Sequence, residues 1–128
     1  MGLIWAVQVV QYPLFARIGR EAFPDYHAAY LRRVTPVVGP LMVAEAATAL
    51  GLLAAPPPGT CPPMPWVGAF LIVVIWISTA FLQVPCHRQL EAGFDANALR
   101  LLVRTNWVRT LAWTARGILV GAWLFNAG

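Results

Sequence analysis

Four apolar stretches divide the chain, at residues 2–19, 34–55, 66–85 and 99–126, each near the roughly 20 residues that carry a helix across a bilayer. Connections this short between helices of that length leave antiparallel packing as the arrangement. The rest of the composition agrees: 59% of the 128 residues are hydrophobic and 11% charged, at a mean hydropathy of +0.66. Chains of low hydrophobicity that stay disordered are excluded, and two cysteines are too few for a disulfide scaffold. The expected fold is all-α, a four-helix transmembrane bundle forming one integral membrane domain over residues 1–128.

Its positive charge is all arginine, nine residues against five acids. The arginines are scattered along apolar helices with no basic patch or nucleic-acid motif, so they read as topology rather than as a nucleic-acid surface. Arg17, Arg20, Arg32 and Arg33 flank the first connection, and Arg88, Arg100 and Arg104 flank the last one. The termini and the proline-rich loop at residues 56–65 carry none. The positive-inside rule then puts both termini and that loop outside the cytoplasmic membrane. Cys61 and Cys86 fall at opposite ends of the third span, ~30 Å apart, too far for a disulfide.

Local signals set the boundaries. Pro24 suits the first turn of a helix and Asp25 its positive end, so residues before 34 are expected to be helical leading into the second span. Pro36 and Pro40 fall inside that helix, where neighbouring helices can satisfy the freed carbonyls. Gly93-Phe94-Asp95 reads as a helix stop followed by a new N-cap. There is also an internal echo. Asp25, Leu31, Thr35 and Gly51 recur as Asp95, Leu101, Thr105 and Gly121, and Gln11-Tyr12-Pro13 resembles Gln83-Val84-Pro85, the pattern of two repeated helical hairpins in the same orientation.

Polar residues inside the spans fall on single faces. On the fourth helix Asn106, Arg109, Trp113 and Arg116 follow helical spacing, and on the third Thr79, Gln83 and His87 do so. The first contributes Gln8, Gln11 and Tyr12, and the second His27, Tyr30, Glu45 and Thr48. An ionised side chain facing hydrocarbon costs about 2.5–3.5 kcal/mol even on the mild insertion scale, so these faces are expected to turn inward. Glu45, about 16 Å into its helix, needs a cation or a proton, and Arg109 on the antiparallel fourth helix is the expected partner. If any metal or haem is held, His27 and His87 are the ligands available.

The segment Gln83-Val84-Pro85-Cys86-His87-Arg88-Gln89-Leu90, with Thr105-Asn106-Trp107-Val108-Arg109-Thr110, resembles the paired signatures of the anthrone-oxygenase-like family of small four-helix membrane proteins. Pro85, Leu90, Asn106, Arg109 and Thr110 match. His87 stands where that family usually has Asn, and Trp107 where it usually has His. The resemblance implies oxygenation of a hydrophobic, polycyclic phenol by molecular oxygen, without a cofactor. His87, Asn106, Arg109 and Glu45 are then the expected catalytic set, with Gln11, Tyr12, Tyr30, Gln83, Trp113 and Arg116 binding the substrate. The alternative is a membrane protein that binds or transports a small molecule or a cofactor such as haem, a metal or a quinone. A bundle this small can also self-associate as a homo-oligomer.

Overall fold

The structure, a computed structural model, describes residues 1–127. Four helices make up the fold: α1 over residues 2–17, α2 over Phe23–Ala54, α3 over Pro63–Glu91 and α4 over Ala96–Ala127. Two of them, α2 and α3, are long and apolar enough to cross a membrane. Helix α4 has the length but carries Arg100, Arg104, Arg109 and Arg116, and α1 reaches only about 24 Å at ~1.5 Å per residue.

Helices α2, α3 and α4 run past the limits that apolarity alone suggests, while α1 stops at Arg17, short of residue 19. Helix α2 begins at Phe23 rather than residue 34, with Pro24 and Asp25 in its first turn. It passes through Pro36 and Pro40 without a break. Helix α3 starts at Pro63, inside the expected proline loop, because proline lacks only an N–H that the first turn leaves unpaired anyway. It ends at Glu91 rather than 85, since the polar residues that follow the apolar stretch are themselves good helix formers. Gly93 then adopts φ +142°, which favours glycine, and Asp95 caps α4 by accepting from the Asn97 and Ala98 amides at 2.8 and 3.0 Å.

The odd-numbered helices share a distortion. Val7–Gln11 in α1 and Thr79–Gln83 in α3 are π turns, each closed by the residue before a proline: the Tyr12 amide donates to the Val7 carbonyl, and the Val84 amide to the Thr79 carbonyl. Pro13 and Pro85 cannot donate to the carbonyls of Val9 and Phe81, and the backbone widens just upstream to relieve the mismatch. The two Gln-x-Pro motifs thus produce the same local geometry.

Close backbone packing runs in the order α1–α4–α3–α2. The sequence neighbours α1 and α2 meet instead through side chains, chiefly Phe15, which lies edge-on to Phe23, Tyr26, His27 and Tyr30 at 4.9–6.0 Å between ring centroids. Only Phe23, His27, Met42 and Ala49 of α2 are buried. Large apolar side chains point outward around the assembly, including Trp66, Phe70, Phe81, Leu111 and Ile118. Arg20 lies over the Phe94 ring, so the two arginine-bearing connections adjoin at one end. Both cysteines are free, as their separation predicts.

Candidate functional site

Two polar systems occupy the interior. The first is sealed. Gln8 of α1 donates to the Val103 carbonyl at 3.0 Å, while its Oε1 accepts from Asn106 Nδ2 and Thr110 Oγ1, both at 3.0 Å. Gln83 forms a similar knot: Ser78 donates to its Oε1 at 2.9 Å, and its Nε2 donates to Thr105 Oγ1 at 3.1 Å. The glutamines at both π turns thereby tie α1 and α3 to α4. Asn106, expected in the catalytic set, is fully buried with its amide nitrogen held by Gln8, so it braces α1 against α4 and does not face the cavity. Its Oδ1 has no partner among the described residues.

The second system faces open space. A cavity of about 480 Å³ lies along the seam between α1 and α2, backed by α3 and α4. This falls within the range of small-molecule sites. Its wall is mostly aliphatic, from Ile4 and Val7 of α1 and Leu31, Val34, Val38 and Met42 of α2. Seven expected site residues border it: Tyr12, Tyr30, Glu45, Gln83, His87, Arg109 and Trp113. Three others do not. Besides Asn106, Gln11 lines a second groove on the outer side of the seam, and Arg116 sits between α2 and α4. There its Nη2 lies 3.4 Å from the Glu45 carbonyl and from Thr48 Oγ1. Gly68 on α3 lies against that guanidinium, where a Cβ would stand 3.6 Å from Nη1, an ordinary van der Waals contact.

A chain of hydrogen bonds from three helices borders the cavity. Tyr12 Oη is 3.1 Å from His87 Nε2, and His87 Nδ1 is 2.9 Å from His27 Nε2. The two imidazoles stack at 5.2 Å, and His27 stacks on Phe23 at 5.6 Å. Two proton arrangements satisfy this chain, one the reverse of the other, and passing between them moves a proton from one end to the other. Such a chain can relay a proton between the cavity and the fully buried His27. His27 Nδ1 has no partner among the described residues. The facing nitrogens of the two histidines engage each other rather than converging on a metal. No group of three His, Cys, Asp or Glu side chains comes together as a metal site among the described residues.

At the other flank Trp113 stands between the charges expected to pair. Its Nε1 donates to Glu45 Oε2, and the Arg109 guanidinium lies over its ring at 5.1 Å. No arginine and carboxylate approach within 4.0 Å among the described residues, so the expected Glu45–Arg109 ion pair is replaced by an indole that contacts both. The reason is spacing: Trp113 is one turn beyond Arg109 on the same face and reaches the carboxylate first.

Compared with protein-family models, curated proteins and solved structures, the chain matches none.

The outer groove shares Leu3, Tyr30 and Val34 with the cavity. Where the two meet, Tyr30 Oη donates to Gln11 Oε1 at 2.8 Å. Trp107, at which the resemblance implies histidine, is exposed and packs edge-on against Trp5 at 5.6 Å, away from the cavity. Gln8, Ser78, Thr105 and the His27–His87 contact were the functional partners that helix periodicity did not single out as a set. Only Gln83, which precedes an X-Pro pair as Gln11 does, carried a signal.

Proposed function

We propose that this chain is a four-span integral membrane protein with both termini outside, and that the cavity between α1 and α2 is the site of an oxygenase-like enzyme acting on a hydrophobic aromatic substrate. The membrane reading is supported by two helices long and apolar enough to span and by the outward display of large apolar side chains, which a soluble monomer does not tolerate over large areas. Helix α4 spans as well in this reading because Arg109 and Arg116 are turned inward, 6% and 7% exposed.

The observation that carries the enzyme reading is the Tyr12–His87–His27 chain at the edge of an apolar cavity. A phenolic or anthrone-type substrate reacts with dioxygen once it is deprotonated, because the carbanion or phenolate is electron-rich enough to reduce it. That proton enters at Tyr12 Oη, which hands its own to His87 Nε2 as His87 gives its Nδ1 proton to His27. Arg109 holds the anion that results, and Glu45, through Trp113, fixes the indole beneath the guanidinium. For a ring CH₂ the balance is one dioxygen in, one oxygen atom to the new ring carbonyl, and the other to water with the two hydrogens lost. Gln83 and Tyr30 shape the wall, and Asn106 supports it from behind.

The experiment is oxygen uptake by the purified protein in lipid nanodiscs with an anthrone-type phenol. Uptake above that of empty discs, lost in His87→Ala, is expected. Absence of uptake with the intact protein overturns the reading.

A further inference from the structure

Arg109 is a buried cation without a counter-ion. It is 6% exposed, its Nε has no hydrogen-bond partner among the described residues, and no carboxylate lies within 4.0 Å. Its compensating contacts are neutral ones, the Trp113 ring face and the Tyr12 hydroxyl. A guanidinium taken out of water loses several kcal/mol of hydration, and a single indole face returns only part of that. Two acids line the cavity, Glu45 and Glu91, and neither pairs with Arg109; Glu45 has its Oε2 turned to the Trp113 indole. Tyr12 and Tyr30, the polar groups near Arg109, are neutral and already engaged with His87 and Gln11, so they bring it no negative charge.

Most of the remaining wall is apolar, with Thr35, Thr79, Arg88 and Glu91 as the polar exceptions, and the volume admits a drug-sized molecule. What is lacking is a negative charge beside Arg109 itself, within a cavity otherwise built mostly for apolar surface. We infer that its ligand enters already bearing a single anionic oxygen group, such as a carboxylate, on an apolar body, with that group seated against Arg109 and the body along Val34, Val38 and Met42. This rests on the cavity being the site described above, and goes beyond it: a neutral phenol acquires its charge only during reaction, whereas this ligand brings it. Aromatic acids and fatty acids share this chemistry, and probes of both kinds separate them.

The test uses the protein in nanodiscs of zwitterionic phosphatidylcholine, with binding of 2-naphthoate and of oleate compared with that of their methyl esters, each corrected for partition into empty discs. At least one acid is expected to bind about ten-fold or more tightly than its ester, the worth of one charge-assisted hydrogen bond. A preference confined to naphthoate assigns an aromatic body, and one confined to oleate an alkyl body. Arg109→Gln is expected to bring the ratio close to one, with Arg109→Lys retaining part of it and Arg104→Gln, an exposed arginine, leaving it unchanged. Equal binding of acid and ester by the intact protein overturns the inference without any variant. So does an acid preference that survives in Arg109→Gln. Oxygen uptake with a neutral phenol is a separate measurement: its failure removes the oxygenase reading and leaves the anion site standing, while equal acid and ester binding with intact uptake does the reverse.

Discussion

The two interior polar systems contain the same kinds of residue and use them differently. Around Gln8, Asn106 and Thr110 the donors and acceptors meet one another at 3.0 Å and shut out solvent and ligand. Around Tyr12, His87 and Arg109 they border a cavity, and atoms such as His27 Nδ1 and Arg109 Nε go without protein partners. Each system leaves a buried atom without a partner among the described residues, Asn106 Oδ1 in the first, but only beside the cavity can a ligand supply what is missing. The difference follows the packing order: α4 sits close to α1 and α3, while α1 and α2 leave the seam between them open.

The sharpest way to break this comparison is at the open system. His87→Ala removes the middle of the relay and is expected to lower turnover by about 10² to 10⁴, the usual contribution of general acid–base catalysis, with helix content unchanged by circular dichroism. A variant that turns over normally would place His87 with the structural residues. The sealed system should respond in stability instead. Gln8→Leu leaves Asn106 Nδ2 without its acceptor, while Thr110 Oγ1 keeps the Asn106 carbonyl, and is expected to cost about 1–3 kcal/mol in a denaturant titration.

Arg109→Met sharpens the contrast, because the two systems predict opposite signs. Removing a buried charge that lacks a counter-ion should stabilise the ligand-free protein by about 1–2 kcal/mol, seen as a raised unfolding midpoint. A loss of stability of that size would mean that Arg109 belongs to the scaffold. The smallest effect is expected at Tyr30→Phe, which deletes the hydrogen bond to Gln11 where cavity and outer groove meet. The cost in stability should be below about 1 kcal/mol, with faster association and dissociation of a cavity ligand measured by stopped flow.

Much of this was legible in the residues. Hydropathy located all four helices, and Gly93 with Asp95 marked the turn into α4. The inward face of α4 followed from spacing, and Asn106, Arg109, Trp113 and Arg116 are all buried. Helix ends were less legible, because apolarity marks the layer a helix crosses and not where its hydrogen bonds stop. Partners across helices were legible least. Periodicity gives the face of a residue but not its height against the neighbouring helix, so Glu45 was matched with Arg109 when Trp113 intervenes, and Asn106 was assigned to chemistry when Gln8 claims it. The contact between His27 and His87, 60 positions apart, depends on the packing of α2 on α3.

The π turns carry a consequence for how this chain can change. Each holds one residue more than an α turn, so the helix beyond it is offset in phase by about 100° from the helix before it. In α1 and α3 the offset falls immediately before the segments bearing Tyr12 and His87. Loss of a single residue such as Val9 or Leu82 would hardly alter hydropathy, yet it would turn one end of the helix by more than a quarter circle against the other, carrying the Tyr12–His87–His27 chain out of alignment while the helix itself persisted.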